Sequence, residues 1–148
     1  MDEKYIVSVI GTQIVDDEEN TIELTTSASY AERNGKKYIK YREYDTDFGE
    51  PYISNIVKIE SNKKITLVKN SGVKYSQLIL ESGVRHQCMY QSAVGTLSIG
   101  IYTDWIQCEL DENGGKVEIE YTIDFNSDFQ SENHMLIVLE KKGVIKNV

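Results

Sequence analysis

Residues 84–125 read VRHQCMYQSA VGTLSIGIYT DWIQCELDEN GGKVEIEYTI DF. Four runs in this stretch, 84–91, 96–103, 105–112 and 116–125, have the composition of β-strands and are separated by short breaks. In the last run Val117, Ile119, Tyr121, Ile123 and Phe125 alternate with Glu118, Glu120, Thr122 and Asp124. Successive side chains of a strand point to opposite faces, so this run has one apolar face and one wet face. Breaks of this length join only antiparallel neighbours, because a parallel crossover needs a dozen or more residues. The stretch therefore reads as an antiparallel meander, and it predicts that the flanking chain continues it.

The flanking sequence agrees. Residues 5–13 alternate with apolar side chains on both faces, the pattern of a strand covered on each side. Asp16-Asp17-Glu18-Glu19-Asn20 reads as a solvated loop, and it lacks the spaced oxygen ligands and glycine of a calcium loop. After the Thr- and Ser-rich residues 21–33, Asn34-Gly35 predicts a two-residue hairpin turn, since both central positions of a type I′ turn need positive φ. The return strand, 36–44, has no dry face. Residues 45–52 form a loop by their Asp, Gly and Pro content. Strands follow at 53–60, 63–69 and 73–81, with turns at Ser61-Asn62, Asn70-Ser71-Gly72 and Ser82-Gly83. Beyond Phe125, residues 129–133 read as a turn or one helical turn, 135–140 as a buried last strand, and the tail as a short edge or a frayed end.

About ten strands with hairpin-sized connections, and no segment with three turns of helical periodicity, give an all-β fold. The short connections favour an antiparallel up-and-down meander closed into a barrel of about eight to ten strands over a Greek-key sandwich. Closure also removes the exposed edges that so many strands would leave. The 148 residues make one domain, 1–148, long enough to bury a core without staples.

Composition narrows the function classes. A net charge of −8 without a basic stripe argues against nucleic acid and against anionic membranes. The N-terminus has acidic residues where a signal peptide carries basic ones, and no stretch approaches the roughly 18 apolar residues of a membrane helix. The expected location is the cytoplasm, with Cys88 and Cys108 as reduced, buried thiols. Ten tyrosines against three phenylalanines and one tryptophan suit either a two-faced sheet or a cavity lined with hydroxyls. A homodimer is permitted but not indicated.

The chain resembles the bacterial family of uncharacterised YwiB-like proteins, which have a calycin-like (lipocalin-related) β-barrel. The resemblance runs through Gly11-Thr12-Gln13, Ile22-Glu23-Leu24, Tyr41-x-Glu43, Gly72, Gly83, Tyr90, Gly95-Thr96-Leu97, Thr103, Gly114-Gly115-Lys116, Glu120-Tyr121 and Ser131-Glu132-Asn133. The order and spacing of these pieces cover nearly the whole chain. The family has a proline where this chain has Ala93, which puts the local turn in question. The resemblance implies the barrel and no reaction.

His86, Cys88 and Tyr90 share one face of one strand. Metal binding by His86 and Cys88 would need Cys108 and His134 to converge on them, and no ligand spacing demands it, so no metal and no cofactor is expected. Cys88 and His86 lack the third positioned group of a nucleophile–base pair, so no catalytic residue is assigned. Tyr41 and Glu43, with Arg85 or His86, form the strongest constellation. A carboxylate facing a barrel interior needs a cation or several donors, and it would mark a polar anchor for a ligand. The small residues at 25–29 would leave room opposite it.

The leading expectation is a module that binds a small, partly apolar molecule in the barrel, with Gln13, Ser27, Tyr41, Glu43, His86 and Tyr90 as candidate lining. The alternatives are a small enzyme using Glu43 or His86 as an acid–base group, and an interaction protein that uses its tyrosine-rich outer face or an unpaired edge.

Overall fold

The computed structural model describes residues 3–44, 51–72, 74–92 and 95–143. Ten strands run in chain order: β1 (Tyr5–Val15), β2 (Glu18–Arg33), β3 (Lys36–Glu43), β4 (Ile53–Ser61), β5 (Lys64–Asn70), β6 (Tyr75–Glu81), β7 (Arg85–Ser92), β8 (Gly95–Asp111), β9 (Gly114–Phe125) and β10 (Asp128–Lys141). Each is antiparallel to the next, and β10 pairs with β1 from Tyr5↔Lys141 to Ile14↔Glu132. The meander thus closes into a barrel, as the sequence predicts.

Closure assigns the faces. Val7 on β1, Ile39 on β3, Val57 on β4, Ile65 on β5, Leu80 on β6 and Ile119 on β9 share the interior and are almost wholly buried. The alternation in β9 is realised as read: Val117, Ile119 and Tyr121 are buried. The face of β3 carrying Ile39 and Tyr41 is dry, in contrast to the reading of a strand wet on both sides. The second face of β1 has no covering layer among the described residues: Ile6 is exposed, and Ile10 and Ile14 are half-buried.

Three further readings change. The runs expected at 96–103 and 105–112 are one long strand, β8, which ends at Asp111. Thr103 pairs with Tyr121 and Trp105 with Glu120, so Asp104 is the extra residue of a β-bulge rather than a turn. Residues 129–133 lie in β10, with a second register shift between Phe129 and Ser131. The acidic run is a tight turn at Asp16 (φ 49°) and Asp17 (φ 65°), after which Glu18, Glu19 and Asn20 already pair with β1. Aspartate tolerates positive φ better than most residues, which lets this pair do what Asn34 (φ 52°) and Gly35 (φ 76°) do at the predicted turn. Of the loop expected at 45–52, Pro51 and Tyr52 are described and lie outside any strand; residues 45–50, the turn at Ala93 and the tail beyond residue 143 fall outside the described residues.

The two longest strands turn the corners. β2 pairs with β1 over Glu18 to Ala28 and with β3 over Ala28 to Arg33. β8 pairs with β7 through Gly95 to Tyr102 and with β9 from Gly100 to Asp111. Gly100 lies in extended backbone where the two pairings overlap. A Cβ there would fall 2.0 Å from the Arg85 guanidinium, which crosses above it. Arg85 reaches Asp124 by two bonds, Nε to Oδ2 at 2.8 Å and Nη2 to Oδ1 at 2.7 Å, tying β7 to β9 over β8.

The seam between β6 and β7 is built differently. Gln77↔Met89 is its ladder pair among the described residues. Side chains replace the missing rungs: Ile79 N–H donates to Cys88 Sγ at 3.4 Å, Gln91 N–H to Ser76 Oγ at 3.0 Å, and Tyr75 N–H to Gln91 Oε1. A buried backbone donor needs an acceptor, and these side chains supply it.

The Arg85 bonds hold the Asp124 carboxyl below the ordinary aspartate range. A carboxylate with a depressed folded pKa adds stability that is present above its unfolded pKa and lost as pH falls through the folded value. In urea unfolding, wild type is therefore more stable than Asp124→Asn at pH 7. The difference shrinks as pH drops below about 4, the usual aspartate value, and a pH-independent difference would contradict the ion pair.

Candidate functional site

The barrel ends differ. At the end carrying the β2–β3 and β8–β9 turns the interior is plugged. Tyr5 OH donates to the Glu112 carbonyl at 2.6 Å, Lys37 Nζ donates to the Leu110 carbonyl, and the Tyr5 and Tyr30 rings meet edge to face at 5.7 Å. The opposite end, with the β1–β2 and β9–β10 turns, has two chambers among the described residues and exposed apolar side chains such as Ile22, Tyr75, Tyr90, Phe125 and Phe129.

The first chamber, about 240 Å3, lies between β1, β2 and β10 on one side and β3, β4 and β5 on the other. Its walls are apolar, from Val9, Leu24, Val57, Leu67 and Met135 among others. Its polar group is a cluster of Glu43, Asn55 and Lys69, which cross-strand register sets on neighbouring strands. Glu43 Oε1 accepts from Asn55 Nδ2 at 2.9 Å and from Lys69 Nζ at 3.0 Å. The carboxylate that the sequence marked is therefore on the interior face and paired, which offsets its desolvation. Tyr41 lies beside it. Burial, and then the Glu43 charge, push the Tyr41 phenol well above its ordinary pKa. Its hydroxyl has no hydrogen-bond partner among the described residues.

Gly11 also faces this chamber, and a Cβ built on it meets nothing within 4 Å. Its backbone does not require glycine, since no left-handed φ is present there. The missing side chain leaves space rather than shape.

The second chamber, about 450 Å3, is bounded by β6 to β10 and the end of β1. Gln13 and Tyr90 line it, together with Ser131. Gln13 Nε2 donates to Ser131 Oγ and Asn133 Oδ1, both at 3.3 Å.

The six candidates thus divide. Tyr41 and Glu43 share the first chamber, and Gln13 and Tyr90 the second. His86 faces neither. It sits across the β6–β7 seam with Nε2 2.7 Å from Glu81 Oε1. Ser27 points outward, opposite in parity to buried Ala28, and accepts from Lys142 Nζ at 2.7 Å. Sequence reasoning passed over Asn55, Lys69, Gly11 and Ser131. The one readable signal among them was Gly11, because a glycine inside a strand often marks a close approach or a gap. Asn55 and Lys69 become informative only through register.

The metal constellation does not assemble. His134 is on the outer face against Glu118 Oε2 at 2.5 Å and the Trp105 ring, and no group of three or more His, Cys, Asp or Glu among the described residues is placed to hold a metal. Cys88 and Cys108 are free thiols, and burial raises both above the ordinary cysteine value.

A model of the family described as a domain of unknown function, DUF1934, matches residues 7–137. The chain is 27% identical over 129 residues to the uncharacterised β-barrel protein YwiB of Bacillus subtilis strain 168, covering 86% of this chain and 87% of that protein. It also superposes on the crystal structure of the ywiB protein from Bacillus subtilis with a TM-score of 0.80 at 23% identity, over 93% of this chain and 90% of that one. That likeness shows the fold.

Raised thiol pKa values predict slow chemistry. At pH 8 an aromatic disulfide reagent modifies both cysteines at least about tenfold more slowly in the folded protein than in urea. Cys88 is buried and Cys108 only half-buried, unlike the two buried thiols expected, and equal rates would contradict the shielding of both.

Proposed function

This chain belongs to the DUF1934 family, and on that premise we propose that it binds a small, partly apolar molecule inside the barrel, in the chamber beside Gly11, Tyr41 and Glu43. The observation that carries this reading is a built void. Natural interiors are close-packed, and a strand position facing a core ordinarily carries a side chain. Here β1 places a glycine over open space, in backbone that would accept any β-branched residue.

The chamber's size and polarity narrow the ligand. Its volume of about 240 Å3 exceeds the roughly 150 Å3 of a cavity that accepts benzene. One ring, or a short branched chain, is the matching size. Glu43 Oε1 takes both protein donors, while its Oε2 has none among the described residues. A ligand with one O–H or N–H donor therefore meets a waiting acceptor without disturbing the Lys69 pair. The Tyr41 hydroxyl offers a second contact. The exposed apolar side chains at this end favour the approach of such a molecule from solvent or from a carrier.

Binding takes precedence over catalysis by Glu43 or His86. Glu43 is held by an ion pair and an amide, and His86 by Glu81 across a seam away from both chambers. Those ties suit anchoring better than repeated proton transfer.

Native mass spectrometry of protein purified from its own host, followed by a small-molecule screen, tests the proposal. Wild type carries or acquires a ligand of this size. Gly11→Val keeps its thermal midpoint within about 3 °C, since the added atoms enter open space, and loses the ligand. A variant that binds as well as wild type would sink the assignment of this chamber.

A further inference from the structure

We propose that the second chamber is a distinct binding site for a neutral molecule that joins an apolar body to an adjacent hydrogen-bond donor and acceptor, the pattern of a primary amide or a lactam. This goes beyond the ligand proposed for the first chamber. The two chambers have no lining residue in common, and their polar groups differ in kind.

The wall excludes charge. Leu78, Leu97, Ile99, Ile123 and Phe125 supply most of it, and among the described lining residues there is no Asp, Glu, Lys, Arg or His. A charged group entering would lose its water and gain no counter-ion. The first chamber, by contrast, carries a carboxylate and an ammonium.

The floor is more selective than the wall. Ser131 is 2% exposed and its hydroxyl lines the chamber. A hydroxyl has two acceptor sites and one proton to give. Ser131 Oγ accepts from Gln13 Nε2 at 3.3 Å and from Asn133 Nδ2 at 3.0 Å, which uses both acceptor sites. Its proton has no acceptor among the described residues. The Gln13 amide is in the converse position. Its Nε2 is engaged by Ser131 and Asn133, while Oε1 receives nothing among the described residues. Asn133, itself 5% exposed, fixes this arrangement from below by donating to Ser131 and accepting from Gln13.

An unspent donor on buried Ser131 and an unspent acceptor on solvent-exposed Gln13 therefore line the same largely apolar chamber. A buried donor without an acceptor is uncommon, and bound solvent or ligand is the usual explanation. An amide group answers both: its carbonyl accepts from Ser131, and its N–H donates to Gln13 Oε1. A carboxylate can only accept, and an ammonium can only donate.

The test is a titration of the 15N-labelled full chain, followed by 1H–15N spectra, with benzamide and separately with benzoate. The two probes share a ring and differ in charge and donor. Benzamide produces saturable shifts at the amides of Leu97, Ile99, Ile123 and Ser131, and benzoate binds at least about tenfold more weakly. Ser131→Ala weakens benzamide at the Ser131 chamber about tenfold, the effect of one hydrogen bond. Should Ser131→Ala fail to fold, the benzamide–benzoate ratio in wild type decides alone. Equal affinity for the two probes, or no saturable shift at the Ser131 chamber, overturns the proposal. Shifts confined to Gly11 and Tyr41 would also overturn it and leave the first chamber standing; shifts confined to the Ser131 chamber support it.

Discussion

The pairing of β1 with β10 is the constraint on which everything else depends. Ten residue pairs, from Tyr5↔Lys141 to Ile14↔Glu132, turn an open meander into a ring. An open sheet of this length would present two bare edges and two equivalent faces. Closure removes the edges and makes the faces inequivalent, so that side-chain parity along each strand becomes a choice between core and solvent. Every interior assignment, from Val7 to Glu43 and Ser131, follows from that choice. At one end the enclosed space is stopped by Tyr5, Tyr30 and Lys37, whose hydrogen bonds and ring contacts cross from strand to strand. At the other end nothing comparable fills it among the described residues, and the chambers remain.

Polar groups inside the ring are distributed with a consistent logic. Glu43 is balanced by Lys69 and Asn55, and Ser131 by Gln13 and Asn133. Buried Tyr121, with its pKa pushed up to about 12 by desolvation, lies in register between Asn133 on β10 and Thr103 on β8. Thr103 is fully buried, and its Oγ1 has no hydrogen-bond partner among the described residues. A packed hydrophobic interior would be more stable than this, since half-satisfied polar groups are costly inside a protein.

Much of the fold was legible in the residues themselves. The alternation of Val117, Ile119 and Tyr121 and the Asn34-Gly35 dipeptide depend on local chemistry, and local chemistry is what a sequence displays. The misreadings arose where the structure departs from strict periodicity. Asp104 looks like a break because a bulge and a turn both interrupt a two-residue period, and only the partner strand tells them apart. Residues 129–133 misled for the same reason, with the register shift at the start of β10. In the candidate site, Tyr41 and Glu43 were readable as neighbours on one face. His86 had its parity right, yet its tie to Glu81 depends on a seam that no local pattern announces. Lys69 and Asn55 join Glu43 only through the register of β3, β4 and β5.

The central claim is that closure encloses space that the chain's own side chains do not fill. The most direct measurement is diffraction from crystals held under xenon pressure, because xenon enters dry apolar cavities and is seen without any assumption about a natural ligand. The account predicts a xenon atom beside Gly11, among Val9, Leu24, Val57 and Leu67. A well-ordered barrel with side chains packed across that position and no xenon there would contradict it.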